Sequence, residues 1–109
     1  MCGIAGVYSL TGPLGLEPSV IDGMCRRIVH RGPDDQGVYC HDTAQIGMRR
    51  LAIIDLSSGH QPIHNEDQSI WIVFNGEIYN YLDLRADLEA RGHRYRSHCD
   101  TETIIHLYE

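Results

Sequence analysis

The chain has 109 residues, 42% of them hydrophobic and 22% charged, a composition that predicts one small soluble domain with a single core and excludes a disordered or fibrous chain. Nine basic residues against fifteen acidic give a formal net charge of -6, the wrong sign for neutralising phosphate, so nucleic acid is not an expected partner. No apolar run reaches the roughly 18 residues of a membrane span and the N-terminus lacks the basic-then-apolar layout of a signal peptide, so no membrane partner and a cytoplasmic location are expected.

In chain order, Gly3 to Ser9 reads as a short buried strand, closed by the turn residues Leu10-Thr11-Gly12-Pro13, with Cys2 at its leading end. From Glu17 to His30 the apolar residues Val20, Ile21, Met24 and Ile28 recur at helical steps; Pro18 suits the first turn and Gly32 lies past the end, predicting an amphipathic helix despite Gly23. Three short strands are expected at Val38-Cys40, Ala44-Met48 and Leu51-Ile54, separated by turn-like or charged residues. Residues 57 to 69 read as a polar loop. Ile70 to Phe74 is the strongest strand candidate, continuously apolar and therefore expected to be buried on both faces. A helix follows from about Tyr81 to Arg91, with Asn80 as N-cap and Gly92 as the C′ residue. A short strand near Arg94-Ser97 and a final helix from Thr101, capped by Asp100, complete the pattern. That last helix breaks off in an apolar run, so its apolar face is expected to await partners outside these residues.

The four cysteines, at 2, 25, 40 and 99, include no Cys-x-x-Cys pair, so free thiols are the default in a reducing compartment. The seven histidines lack clean ligand spacing. His60 and His64 lie four apart, but Gly59 and Pro62 oppose the helix that would align them, and no metal site is expected.

Chemistry concentrates at a few positions. Cys2 reads in two ways, as a small apolar residue on the first strand or as a nucleophile. Loss of Met1, which a small second residue permits, would leave a thiol and a free α-amine on one α-carbon, and an amine titrating at about 7.7 to 8.0 can move the thiol proton without a partner histidine. Asn75-Gly76 is either a type I′ hairpin turn or, being followed by Glu-Ile-Tyr-Asn and a helix, a pair of donors aimed at a developing oxyanion. Arg31 to Gly37 reads as a structural turn whose charges pin neighbouring loops. Arg49 and Arg50 edge an apolar strand, where a planar guanidinium suits a carboxylate. The Asp100 carboxylate suits either a helix cap or an amine.

Taken together, Met1-Cys2-Gly3-Ile4-Ala5-Gly6, His30-Arg31-Gly32-Pro33-Asp34, Arg50-Leu51-Ala52-Ile53 with Asp55, Gly59-His60-Gln61-Pro62, Asn75-Gly76-Glu77-Ile78-Tyr79-Asn80 and Asp100-Thr101-Glu102 resemble the glutaminase domain of class II glutamine amidotransferases. The likeness is nearest to glutamine-hydrolysing asparagine synthetases, because relatives making amino sugars or purine precursors usually carry Thr-Arg-Trp at Arg49-Arg50-Leu51. The resemblance implies an N-terminal nucleophile hydrolase fold, an α/β (α+β) four-layer α/β/β/α sandwich, of which residues 1–109 are an N-terminal, truncated portion. It implies Cys2 as nucleophile with Asn75 and Gly76 as oxyanion donors. It also implies that Arg50 holds the α-carboxylate of glutamine, that Asp100 and Glu77 hold its α-ammonium, and that Ile53 and Ile54 supply backbone contacts. No cofactor is implied for this segment. ATP and Mg belong to a C-terminal synthetase domain or subunit, the expected partner besides glutamine itself, and that domain would choose the ammonia acceptor. Cys99 stands where relatives often have serine. A second reading, from a different class, is a non-catalytic glutamine-binding or subunit-pairing module.

Overall fold

The computed structural model describes residues 1–52 and 59–109. Within them the chain is a mixed α/β domain. Its organising element is a three-stranded antiparallel sheet in the order β1-β3-β2, made of β1 (Gly3–Tyr8), β2 (Asp35–Cys40) and β3 (Ala44–Arg50). The register pairs Gly3 with Arg49 and Tyr8 with Ala44 on one side of β3, and Asp35 with Arg50 and Cys40 with Gln45 on the other.

Side chains alternate across a pleated strand, so Gly3, Ala5 and Val7 share a face with Gln45, Gly47 and Arg49. Helix α1 (Ser19–Arg27) covers that face, burying Ile21 and Cys25 completely. Gly47 is the contact point. A Cβ there would run into the Cys25 sulfur and stand 3.2 Å from Ile21 Cγ1; the absent side chain lets the helix lie directly on the strand. Gln45, only 2% exposed, sends its Nε2 to the carbonyls of Leu16 and Glu17 at 3.0 and 3.4 Å and so fixes the entry to α1. Full burial of an aliphatic side chain such as Ile21 is worth about 1.5 to 3 kcal/mol.

The opposite face, with Met48, Arg50 and Tyr39, turns toward a second sheet of only two strands, β4 (Ile63–His64) and β5 (Trp71–Ile72), paired Ile63 to Ile72 and His64 to Trp71. Tyr39 stacks on Trp71 with ring centroids 3.9 Å apart and planes 11° from parallel. Helix α2 (Tyr81–Ala90) ends in a Schellman turn, with Gly92 at φ +100 and the His93 N–H bonded back to the Leu88 carbonyl at 3.1 Å, a backbone geometry that only glycine adopts freely. Helix α3 (Thr101–Tyr108) packs against α2, β4 and β5. Among the described residues, no helix is long and apolar enough to cross a membrane.

Several expectations change. β1 is not buried throughout, since Ile4 and Tyr8 on its second face are exposed. Ile70 to Phe74 is half-buried and contributes only Trp71–Ile72 as strand, paired with β4 alone among the described residues. β4 arises inside the stretch read as a polar loop. Arg94 to Ser97 forms no strand, because its backbone donors go to a carboxylate instead of a ladder: Glu102 accepts the N–H groups of Arg96 and Ser97 at 2.7 and 2.8 Å and the Ser97 hydroxyl at 2.6 Å. Leu51 and Ala52 belong to no strand, and the remainder of that expected strand, Ile53 and Ile54, lies outside the described residues.

Candidate active site

One open cavity of about 460 Å³ is lined by Cys2, Arg50, Asn75, Gly76, Glu77 and Asp100, together with Leu51, Gln61, Phe74 and Cys99. Six of the eight site residues singled out in the sequence therefore surround one space. The other two, Ile53 and Ile54, lie outside the described residues.

The sheet and the turn after α1 position the sulfur. Cys2 precedes β1, whose register sets Gly3 opposite Arg49, so Cys2 and Arg50 stand at the same end of neighbouring strands. The Leu51 N–H points at Cys2 Sγ from 3.4 Å. The Cys2 carbonyl accepts two side-chain donors, Arg31 Nε at 3.2 Å and Asn75 Nδ2 at 3.1 Å. The turn after α1 does more than close a loop: the Gly32 carbonyl accepts Arg49 Nε at 2.7 Å, the Asp34 N–H donates to the Arg50 carbonyl at 3.0 Å, and Asp34 Oδ2 accepts the Ala52 N–H at 2.8 Å. A Cβ on Gly32 would overlap the Arg49 backbone. Arg31, Gly32 and Asp34 thus hold the strand that follows Cys2 and the Arg50 strand in place, and the structural reading of this turn stands.

The other wall comes from the segment after β5 and the start of α3. Asn75-Gly76 makes no hairpin; the chain passes through an irregular stretch into α2. A Cβ on Gly76 would sit 2.6 Å from the Phe74 ring, so a larger residue there would displace the ring or the segment. Asp100 occupies the N-cap position of α3, yet its side chain does not cap the helix. Its Oδ2 accepts the Ile78 N–H at 2.8 Å and Cys99 Sγ lies 3.7 Å from Oδ1, so the carboxylate ties the Asn75 to Ile78 segment to α3.

Gln61 carries a role that the sequence reading left unassigned. Nearly buried, it receives the Phe74 N–H on Oε1 at 2.6 Å and gives Nε2 to the Phe74 carbonyl at 3.1 Å, replacing a strand partner for the residue just before Asn75. The only signal was its place in the run Gly59-His60-Gln61-Pro62. Beneath the site, burial alone would raise the Glu102 carboxyl, but the Ser97 hydroxyl and the N–H groups of Arg96 and Ser97, joined by His106, hold it below the ordinary carboxylate range.

A nucleophile candidate, amide donors, a guanidinium and two carboxylates around one cavity suit a small zwitterion bearing a carbonyl group. Residues 1–109 match the family described as the glutamine amidotransferase domain, and the chain belongs to that family. Among its relatives it is 44% identical over 111 residues to asparagine synthetase [glutamine-hydrolyzing] 1 of Bacillus subtilis, an alignment covering 99% of this chain and 17% of that protein. It is 42% identical to asparagine synthetase [glutamine-hydrolyzing] 2 of Oryza sativa and 43% identical to asparagine synthetase [glutamine-hydrolyzing] of Zea mays, each over 100% of this chain and 18% of the relative. The chain thus spans under a fifth of the length of these relatives.

Proposed function

We propose that this chain carries the glutamine-hydrolysing half of an asparagine synthetase-like amidotransferase. The observation that carries the reading is the convergence of Cys2, Arg50, Asn75, Gly76, Glu77 and Asp100 on one cavity. After removal of Met1, the Cys2 α-amine takes the thiol proton and the sulfur attacks the side-chain carbonyl carbon of glutamine. The C–N bond breaks, the amine returns the proton to the departing nitrogen, and ammonia leaves a glutamyl thioester. Water then adds to the thioester and expels the thiol, giving glutamate.

Asn75 and the Gly76 N–H serve as donors to the oxyanion of both half-reactions. An amide nitrogen has two hydrogens, so Asn75 can hold the Cys2 carbonyl with one and meet the substrate with the other. Arg50 takes the α-carboxylate and Asp100 with Glu77 the α-ammonium; backbone contacts from Ile53 and Ile54 belong to the same reading. Residues 1–109 correspond to the N-terminal part of a glutaminase domain of the four-layer N-terminal nucleophile type. Support for that architecture is the placement of α1 on one sheet and α3 against the other. The ammonia acceptor, with ATP and Mg, belongs to a C-terminal synthetase part, as the length and names of the relatives suggest.

Intact mass measurement together with labelling by a glutamine-analogue electrophile tests the reading. The expected result is a chain lacking Met1, carrying one label on Cys2 and none after Cys2→Ala, with label incorporation suppressed by glutamine. Retained Met1 with an unlabelled thiol would favour a non-catalytic glutamine-binding module.

A further inference from the structure

Away from the cavity, at the opposite end of α3, three ligand-type atoms meet. His93 Nδ1 and His106 Nδ1 are 3.3 Å apart, and each is 3.1 Å from Glu109 Oε2. We propose that His93, His106 and Glu109 form a site for one divalent transition-metal ion of the zinc class. A tetrahedral ion with bonds of about 2.0 to 2.1 Å holds its ligand atoms about 3.3 Å from one another, and all three separations are near this edge length. One position therefore lies at bonding distance from all three atoms.

One neighbour holds a ligand in the way that orients metal ligands: Asn65 Nδ2 donates to Glu109 Oε1 at 3.0 Å. His106, 2% exposed, has its buried Nε2 3.5 Å from Glu102 Oε1 without a hydrogen bond to it. All three atoms lie at hydrogen-bond separation from one another, and the carboxylate oxygen has no hydrogen to give either ring. A cation satisfies all three, and a water in the fourth position completes the tetrahedron. Helical spacing of the kind His60 and His64 offer does not reveal this cluster, because His106 and Glu109 are three residues apart and His93 arrives from the turn after α2.

Zinc chloride titrated calorimetrically into the chelator-stripped chain carrying Cys2→Ser, which removes a competing thiolate, tests this. Saturable binding of a single equivalent is expected, abolished by His93→Ala and by Glu109→Gln and weakened about 10- to 100-fold by Asn65→Ala. Because substitutions near buried His106 can disturb folding, imidazole ¹⁵N spectra of the unsubstituted chain give a second measure: zinc should shift Nδ1 of His93 and His106. No saturable binding, binding unchanged in His93→Ala and Glu109→Gln, or unshifted Nδ1 signals would each overturn the site in favour of a proton-only network of imidazolium between Glu102 and Glu109.

Discussion

Replacing Asp100 separates its two tasks. Its Oδ2 accepts the Ile78 N–H at 2.8 Å, a bond that holds the segment bearing Asn75 and Gly76, and its charge is assigned to the α-ammonium of glutamine. Asp100→Asn keeps an oxygen for Ile78 and loses only the charge. A hydrogen bond to a charged group contributes about 1.5 to 3 kcal/mol against about 0.5 to 1.5 for a neutral one, so roughly 1 to 1.5 kcal/mol of glutamine binding should vanish. At about 1.4 kcal/mol per decade, that is close to a tenfold weaker dissociation constant. Asp100→Ala also leaves the part-buried Ile78 N–H without its partner, at about 1 to 3 kcal/mol, part of which appears as lost stability. Calorimetric glutamine titration in a Cys2→Ala background, which prevents turnover, and thermal unfolding of the same proteins measure the two effects. The asparagine variant should bind weakly and melt normally; the alanine variant should bind more weakly still and melt earlier. Wild-type affinity in Asp100→Asn would refute the assignment of its charge to the substrate amine.

Asn75→Ala should lower the glutaminase rate of a processed, active chain by about 100- to 1,000-fold, read from initial rates of glutamate release with the fold checked by circular dichroism. Gly47→Ala forces a methyl group against Cys25 and Ile21 and should destabilise the domain by about 1 to 3 kcal/mol in urea unfolding. Burial, then the Asp22 charge, raises the Cys25 thiol above its ordinary value of 9.0, with Arg49 opposing. The thiol thus binds its proton more tightly folded than unfolded, so its stabilising contribution is full below pH 9.0 and is lost as pH climbs through the raised value. Cys25→Ala should flatten that alkaline loss in denaturation curves, and native Cys25 should resist alkylation at neutral pH while exposed Cys40 reacts.

Local signals carried most of the elements. The α1 apolar period, the turn chemistry at Gly92 and the β-prone runs in β1, β2 and β3 are properties of consecutive residues, and the structure places elements close to where they predict. What escaped depends on partners distant in sequence. β4 exists because Ile63 and His64 find Ile72 and Trp71, and Arg94 to Ser97 stays irregular because Glu102 claims its N–H groups. Ile70 to Phe74 looks fully buried by composition, but burial of both faces needs neighbours on both faces, which no local run encodes. For the site, motif resemblance identified Cys2, Arg50, Asn75, Gly76, Glu77 and Asp100, and they line one cavity. Silent in the sequence were the bonds holding them there: Gln61 on Phe74, Asp34 across Arg50 and Ala52, and the Asp100 carboxylate on Ile78.

The β1–β3 register has a consequence for how this chain tolerates changes in length. A slip of one residue would turn every side chain of β1 to the other face of the sheet, taking Cys2 away from the face that carries Arg50. A deletion within Gly3–Tyr8 therefore strikes the site directly. The connection around Gly12 is different, since that residue sits at positive φ with open space around it and precedes the Leu14, Leu16 and Glu17 bonds that seat α1. Insertions there leave the ladder untouched, making that loop the place to graft a tag or a reporter without moving the sulfur relative to the guanidinium.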